Sequence, residues 1–209
     1  MNIVIFGASG ATGQELVSQA LNSRHLVTAF VRTPSKLTLT HEHLKIVQGD
    51  VINYRQVEEV VKNQQAVISA LGVSKPLKPD PAVVEGVQNI IQAMEKQRVK
   101  RLIYQSAFAV RENRSELGFF VNKVLGLILR NEIGDHEIKE ALIKKSSLEY
   151  VIVRPSTLTN GPMTGKYRHG ERILSSSLIS PVSRADVADF MLRQLSDNAY
   201  VHKSPRVMK

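Results

Sequence analysis

The sequence lacks cysteine and tryptophan altogether, and its six histidines show no metal-ligand spacing. Without cysteine the chain cannot form disulfides, thiolate metal sites or a cysteine nucleophile, and the histidine spacing predicts no bound metal. No apolar run reaches the roughly 20 residues that a membrane-spanning helix requires. The first six residues have no basic segment and run straight into a glycine loop, which indicates a core strand and not a signal peptide. These features predict a cytoplasmic protein with no membrane partner.

The chain has 209 residues, of which 43% are hydrophobic and 22% charged, enough for one domain with a substantial core. Its net charge is +9, from 28 lysines and arginines against 19 acidic residues. The cations are scattered in ones and twos, which favours a basic surface with a pocket for an anionic ligand. A nucleic-acid partner is the alternative, and the net charge alone supports it.

Strand and helix patterns alternate along the chain, as in a parallel sheet that is covered on both faces. The predicted strands are Asn2–Phe6, Leu26–Val31, Leu44–Gln48, Ala66–Leu71, Arg101–Gln105, Tyr150–Arg154 and Arg206–Met208. The predicted helices are Thr12–Leu21, Tyr54–Lys62, about Ala82 to Lys96, and a last helix through Leu195. Residues Leu117–Leu129 are apolar on all sides, which indicates a buried helix, a pocket wall or a dimer contact.

A glycine loop follows the first predicted strand and opens the first predicted helix. In the run Gly7-Ala8-Ser9-Gly10-Ala11-Thr12-Gly13, the first glycine permits a tight turn and the second lets a pyrophosphate approach the backbone. The third glycine allows close packing of helix and strand, and the amides of the helix start attract phosphate. In this context the loop predicts dinucleotide binding by Gly7, Ser9, Gly10, Ala11, Thr12 and Gly13, rather than a merely structural turn.

The residues after the second predicted strand indicate which dinucleotide would bind. Arg32, Ser35 and Lys36 supply two cations and a hydroxyl, where an acidic residue would mark a free ribose 2′-hydroxyl. Arginine can grip a phosphate in a bidentate way, so this segment favours NADP(H) over NAD. The alternative is a solvated arginine at the end of a strand.

Later strand ends predict further contacts with the same extended cofactor. Asp50 and Val51 follow the third strand, where they would flank the adenine. Ala70, Leu71 and Gly72 follow the fourth strand at the carboxyl edge, where ligands bind in this architecture.

No tyrosine of the chain has a lysine four positions later. Reductases that act on ketones usually need that pair on one helix face, because the lysine lowers the pKa of the tyrosine. Its absence argues against alcohol–ketone chemistry of the usual kind and against sugar-nucleotide epimerization.

The chain resembles the atypical short-chain dehydrogenase/reductases, in particular NmrA-like NAD(P)H-binding proteins and, within them, the biliverdin-IXβ reductase/flavin reductase branch. The resemblance covers nearly the whole length. It is carried by Gly7–Gly13, Val31-Arg32, Gly49-Asp50-Val51, Leu71-Gly72, Ser106-Ala107-Phe108, Asp135-His136, Ser147 to Val151, Pro155, Thr164 to Tyr167 and Phe190 to Arg193.

The resemblance implies a doubly wound, Rossmann-like α/β fold that binds NADPH along the sheet edge. The nicotinamide would lie near Ser106 and the turn formed by Pro155, Thr157 and Leu158. Hydride transfer would reduce a planar conjugated acceptor such as a flavin, bilin or quinone. Ser106 would take the active-site serine role and donate a hydrogen bond toward nicotinamide or acceptor.

The same resemblance implies that Phe108 faces the acceptor and that His136 faces the cofactor or the acceptor, with a helix-surface position as the alternative for His136. Thr157 stands where the reductases carry a histidine, which leaves proton relay at that position open. The alternative function is a redox sensor that binds NADP(H) and a protein partner without turnover. The sequence leaves the oligomeric state open.

We interpret residues 1–209 as one Rossmann-like domain, with a nucleotide-binding core over 1–155. Residues 156–209 would form a small C-terminal elaboration that lines the acceptor site.

Overall fold

A computed structural model describes residues 1–72, 80–108, 130–173 and 180–209 of the chain, and for residues 130–133 the backbone only. The apolar segment Leu117–Leu129 lies outside the described residues.

The strands are β1 Asn2–Phe6, β2 Leu26–Val31, β3 Leu44–Gln48, β4 Ala66–Ser69, β5 Arg101–Gln105, β6 Glu149–Pro155, β7 Leu158–Thr159, β8 Arg168–Gly170, β9 Val182–Ser183 and β10 Arg206–Met208. The helices are α1 Ala11–Asn22, α2 Tyr54–Val61, α3 Pro81–Gln97, α4 Arg130–Lys145 and α5 Arg184–Arg193, with a 3-10 turn at Pro34–Lys36. The predicted strands and helices are confirmed to within one or two residues at nearly every end. β4 stops at Ser69, two residues earlier than the sequence pattern predicts.

The main sheet has eight strands in the order β3-β2-β1-β4-β5-β6-β10-β8. Its strands from β3 to β10 are parallel, and β8 is antiparallel to β10. β7 and β9 form a separate parallel pair. The predicted doubly wound α/β fold is therefore confirmed. Strand order reverses between β1 and β4, and such a switch point opens a crevice at the carboxyl ends of the strands.

Helices cover both faces of this sheet. α1 and α5 pack together on one face, and the Gln19 side-chain amide of α1 donates to the Ala185 carbonyl at 3.0 Å. α2, α3 and α4 cover the other face. The central strands are apolar on both sides because both sides are buried, as expected for a parallel sheet between two helical layers.

The C-terminal part of the chain also contributes to the main sheet. β10 pairs with β6, and β8 pairs with β10, so residues after 156 extend the sheet beyond β6. No helix in the described ranges combines the length and apolar character needed to cross a bilayer.

Candidate functional site

The turn after β1 lies directly against the turn after β4. Gly7 has a φ of +76°, a conformation that favours glycine, and a Cβ added there would lie 2.6 Å from the Ala70 carbonyl oxygen. The Ala70 amide donates to the Phe6 carbonyl at 3.0 Å. The two predicted cofactor segments thus meet at the switch point of the sheet, with no room for a side chain on Gly7.

The first turn of α1 leaves its amides available to an anion. The N-cap position of α1 is Gly10, which is exposed and has no side chain to accept a hydrogen bond from the first amides. No acidic residue lies in the first turn of the helix. The Gly10 amide donates to the Gly7 carbonyl at 3.0 Å, which holds the loop closed. The first amides of a helix have no partner within the helix and attract negative charge. The residues present therefore fit a pyrophosphate.

A glutamine joins this loop to the segment after β2. The Gln14 side-chain amide lies 3.1 Å from the Ser9 carbonyl and 3.4 Å from the Lys36 carbonyl. Arg32, Ser35 and Lys36 are all exposed beside it. Two cations and a hydroxyl are thus available at one end of the loop, and the sequence pattern does not reveal the contribution of Gln14.

Asp50 and Val51 are held in place by α2 and α3. The Asp50 amide donates to the Gln56 side-chain oxygen at 2.9 Å, and the Asn89 side-chain amide donates to the Val51 carbonyl at 2.9 Å. Val51 also packs on Gly86, where a Cβ would lie 2.5 Å from its methyl group. Leu71 packs against the same core, whereas Gly72 is exposed with open space around it.

The remaining predicted residues lie at the ends of β5 and β6. The Ser106 amide donates to the Val153 carbonyl at 2.7 Å and the Phe108 amide to the Pro155 carbonyl at 3.0 Å. The Arg206 guanidinium lies over the Phe108 ring, with 5.4 Å between Arg206 Cζ and the ring centroid. Beyond Pro155, Thr157 is exposed, and Leu158 in β7 is partly buried.

A buried polar network surrounds the Ser106 side chain. Its hydroxyl donates to Glu140 Oε1 at 2.6 Å, and Arg154 Nε donates to the same oxygen at 3.0 Å. Arg154 Nη2 also contacts Glu140 Oε2, which makes the pair bidentate. All three residues are less than 5% exposed. A bidentate arginine stabilises the charged form of a carboxylate, so Glu140 is ionised here.

His136 lies one helical turn before Glu140, on the same face of α4. Its Nδ1 is 3.4 Å from Ser106 Oγ. Burial, with a smaller contribution from the charge of Lys139, lowers the pKa of His136 from 6.5 to about 3. The ring is therefore neutral at physiological pH.

Tyr104 lies two residues before Ser106 on the same strand face and is fully buried. Burial, and then the charges of Glu140 and Asp135, raise the pKa of Tyr104 well above its ordinary value. Its hydroxyl finds no hydrogen-bond partner in the described ranges. Tyr104 therefore stays protonated.

Taken together, the strand ends bring the glycine loop, a cationic segment and a buried serine to one edge of the sheet. A family model described as NAD(P)H-binding matches residues 7–198, which include all of these features. The chain belongs to this NAD(P)H-binding family. The resemblance drawn from the sequence motifs is confirmed at this level.

Among relatives, an uncharacterized chloroplastic protein of Arabidopsis thaliana is 32% identical to this NAD(P)H-binding protein over 180 residues. The match covers 78% of this chain and 61% of the Arabidopsis protein. The chain spans less than two thirds of the length of the first curated relatives it matches. Cytoplasmic location stays a prediction.

Two solved structures have the same fold. The anaerobilin reductase ChuY from Escherichia coli O157:H7 superposes with a TM-score of 0.80 at 21% identity, over 100% of this chain and 97% of that one. A short-chain dehydrogenase/reductase from Veillonella parvula, in complex with NADP, superposes with a TM-score of 0.80 at 20% identity, over 100% and 94%.

Sequence reasoning missed the polar residues that surround Ser106 in this NAD(P)H-binding protein. Glu140 and Lys139 lie on α4, a helix that the pattern analysis did not predict, and Arg154 was assigned only to a strand. The available signal was the four-residue spacing of His136 and Glu140, which places both on one helix face. Whether the predicted residues bind the cofactor stays a prediction.

Proposed function

We propose that this protein is an NADPH-dependent oxidoreductase that transfers hydride to a planar conjugated acceptor of flavin, bilin or quinone type. One observation carries the proposal. The Ser106–Glu140–Arg154 network lies at the same sheet edge as the glycine loop, and of the two side chains that contact the Ser106 hydroxyl, Glu140 accepts its hydrogen bond and His136 is neutral.

The cofactor would lie across the switch point of the sheet. The amides at the start of α1 would hold its pyrophosphate, Val51 would pack on the adenine, and Ser106 would lie toward the nicotinamide. When bound, NADPH supplies the hydride, so the protein has to bind, orient and exclude water. Gly7 packs closely on Ala70, and Val51 packs closely on Gly86. This packing would fix the positions of the loops that contact the cofactor before it binds.

The preference for NADPH rests on the exposed cations after β2. Arg32 and Lys36 lie beside the loop that would carry the pyrophosphate, and Gln14 ties that loop to Lys36. A guanidinium and an ammonium together favour a 2′-phosphate over a free hydroxyl.

The character of the acceptor follows from proton supply. Glu140 is an ionised carboxylate, His136 is neutral and Tyr104 holds its proton tightly. An isolated carbonyl needs a positioned acid when it receives hydride. A conjugated acceptor spreads the incoming electron pair over its rings and takes its proton from solvent. The Phe108 ring, backed by Arg206, supplies an aromatic surface on which such a ring system could stack.

Two solved structures of the same fold support the proposed cofactor and acceptor class. The V. parvula structure was solved with NADP, and ChuY is named as an anaerobilin reductase, which associates a bilin-type substrate with a protein of this fold.

The test is oxidation of NADPH, followed at the nicotinamide absorbance band, with FMN, biliverdin and a benzoquinone as acceptors. We expect saturable turnover with at least one acceptor. Ser106→Ala should lower kcat/KM at least tenfold, because it removes the hydroxyl that donates to Glu140 and contacts His136 Nδ1. Ser23→Ala is the matched control, because Ser23 is exposed at the C-terminal end of α1.

Tight NADP+ binding without turnover across the acceptors would overturn the enzymatic proposal and favour the redox sensor. A steep salt dependence of affinity for a DNA duplex, with no dinucleotide binding, would instead favour a nucleic-acid function.

A further inference from the structure

The hydrogen bonds around Ser106 run in one direction. Glu140 accepts two hydrogen bonds from Arg154, and Lys144 Nζ lies 3.6 Å from its Oε2. An ionised carboxylate has no proton to donate. The Ser106 hydroxyl must therefore be the donor in the 2.6 Å contact with Glu140 Oε1.

This direction determines the tautomer of His136. A hydroxyl has a single hydrogen, and Ser106 uses it toward Glu140. The His136 Nδ1 atom, 3.4 Å from Ser106 Oγ, can then only act as the donor. In a neutral ring with hydrogen on Nδ1, the Nε2 atom carries a lone pair and no hydrogen.

The lone pair on Nε2 lacks a partner within the described part of the chain. No hydrogen bond to Nε2 joins the contact of Nδ1 with Ser106, and the His136 ring is partly exposed at the edge that carries Ser106. Burial of the ring, with a smaller contribution from the neighbouring Lys139 on α4, lowers the pKa of His136 and so disfavours a second proton on the ring. The ring is thus held in an orientation and a protonation state before a ligand binds.

We propose that His136 Nε2 accepts a hydrogen bond from an N–H or O–H group of the bound ligand, and that this contact selects ligands which carry such a donor. The inference rests on the proposed function and deepens it. An isoalloxazine ring has a ring N–H between two carbonyls, and a bilin has pyrrole N–H groups, whereas a simple benzoquinone has neither. The carboxamide of the nicotinamide ring also carries an N–H donor, so either the acceptor or the cofactor can supply the hydrogen bond to His136 Nε2.

The first experiment observes the tautomer itself. Long-range ¹H–¹⁵N correlation spectra of the ¹⁵N-labelled full chain, recorded near pH 7 without ligand, distinguish hydrogen on Nδ1 from hydrogen on Nε2. We expect His136 to carry hydrogen on Nδ1. A wild-type ring with hydrogen on Nε2 would overturn the proposal.

Glu140→Gln should shift this tautomer. With its oxygen toward Arg154 Nη2 and Lys144, the introduced amide would direct its NH2 group toward Ser106 and toward Arg154 Nε, which then loses its acceptor at position 140. Ser106 would then be free to donate to Nδ1, which moves the hydrogen of His136 to Nε2. Glu59→Gln, the same substitution on an exposed residue of α2, should leave the spectrum of His136 unchanged.

The second experiment identifies the donor. Binding of lumiflavin and of 3-methyllumiflavin is compared in the presence of NADP+, and binding of NADP+ is compared with that of its nicotinic-acid analogue. One pair should show about a tenfold loss when its N–H is removed, and this discrimination should shrink toward unity in His136→Phe. The pair that responds identifies acceptor or cofactor as the source.

Equal binding within both pairs by the wild-type protein, or discrimination unchanged in His136→Phe, would overturn the inference. Failure of the proposed function is distinguishable, because a protein that binds no NADP+ at all would still report its tautomer in the first experiment.

Discussion

Gly13 packs so closely on the turn after β1 that a Cβ at position 13 would lie 2.0 Å from the Gly7 carbonyl oxygen. The same Cβ would lie 2.8 Å from the Cα of Ala8. These neighbours are backbone atoms, which cannot rotate away as the end of a side chain can. The start of α1 is therefore fixed against β1 by the absence of a side chain at one position.

The glycines of the loop should separate stability from binding. Gly13→Ala should destabilise the fold by about 3 kcal/mol or more, because the loop backbone has to move. Gly10→Ala should change the free energy of unfolding by less than about 1 kcal/mol, since Gly10 has an ordinary φ of −76° and a Cβ there would lie 3.3 Å from the Gly7 carbonyl oxygen. We expect Gly10→Ala instead to weaken NADP+ binding at least tenfold, because its methyl group would occupy the path of the pyrophosphate. Chemical unfolding and calorimetric titration measure the two effects, and equal losses of stability would contradict the assignment.

Arg32→Glu should lower affinity for NADPH by more than tenfold and change affinity for NADH much less. The substitution replaces a phosphate-binding cation with a carboxylate that repels the 2′-phosphate. Lys100→Glu is the matched charge reversal. Lys100 is exposed and precedes β5, so it lies at the amino ends of the strands, opposite the carboxyl ends that carry the candidate site. Fluorescence titration with both nucleotides checks the result, and parallel losses for NADPH and NADH would remove Arg32 from the 2′-phosphate site.

Arg154→Met should destabilise the protein by about 3 to 5 kcal/mol, because it leaves the Glu140 carboxylate buried without its bidentate partner. Adding Glu140→Gln to that variant should recover part of the loss, since the neutral amide costs less to bury. Lys96→Met removes an ion pair whose lysine is 60% exposed, and it should leave the free energy of unfolding nearly unchanged because solvent screens the pair. Urea unfolding of the wild-type protein, Arg154→Met, Glu140→Gln, the double variant and Lys96→Met tests this pattern, which a strictly additive double variant would refute.

The pH dependence of stability should report His136. Its pKa is lowered to about 3 in the folded chain from 6.5, so between these values the unfolded chain binds a proton that the folded chain does not. The free energy of unfolding should therefore fall as the pH falls from 6.5 toward 3, by up to about 1.4 kcal/mol per pH unit from this group.

His136→Asn should flatten that slope, whereas the same substitution at the exposed His41 should leave it as in the wild-type protein. Unfolding curves at several pH values between 4 and 7 provide the measurement. Identical slopes for all three proteins would contradict a neutral, partly buried His136.

Local patterns were sufficient for most of the fold. β1, β2, β3 and β5 begin and end at the predicted residues, because each is a short apolar run bounded by turn residues or a charged helix. α4 was missed because its sequence alternates charged and apolar residues without a clear apolar stripe, and its burial depends on packing against α3 and β6. The short strands β7, β8 and β9 were missed because two or three residues carry no measurable period.

The candidate site also has residues that the sequence predicts and residues that only the folded chain brings together. The places of the glycine loop and of Arg32 after β1 and β2 could be predicted because they depend on neighbours in the chain and on the position of a strand end, and their binding roles stay predictions. The partners of Ser106 could not, since Glu140 lies 34 residues after Ser106 and Arg154 a further 14 residues along the chain, so both reach it only through the folded sheet.

The amino-acid sequence alone determined the alternation of strands and helices, the glycine loop at the first turn and the cations after the second strand, because these features depend on periodicity and adjacency. Tertiary structure decided the direction of the hydrogen bonds at Ser106 and the protonation state of His136. Both depend on burial and on charges that residues distant in the chain bring within a few ångströms, and those quantities exist only once the two layers of helices have packed against the sheet.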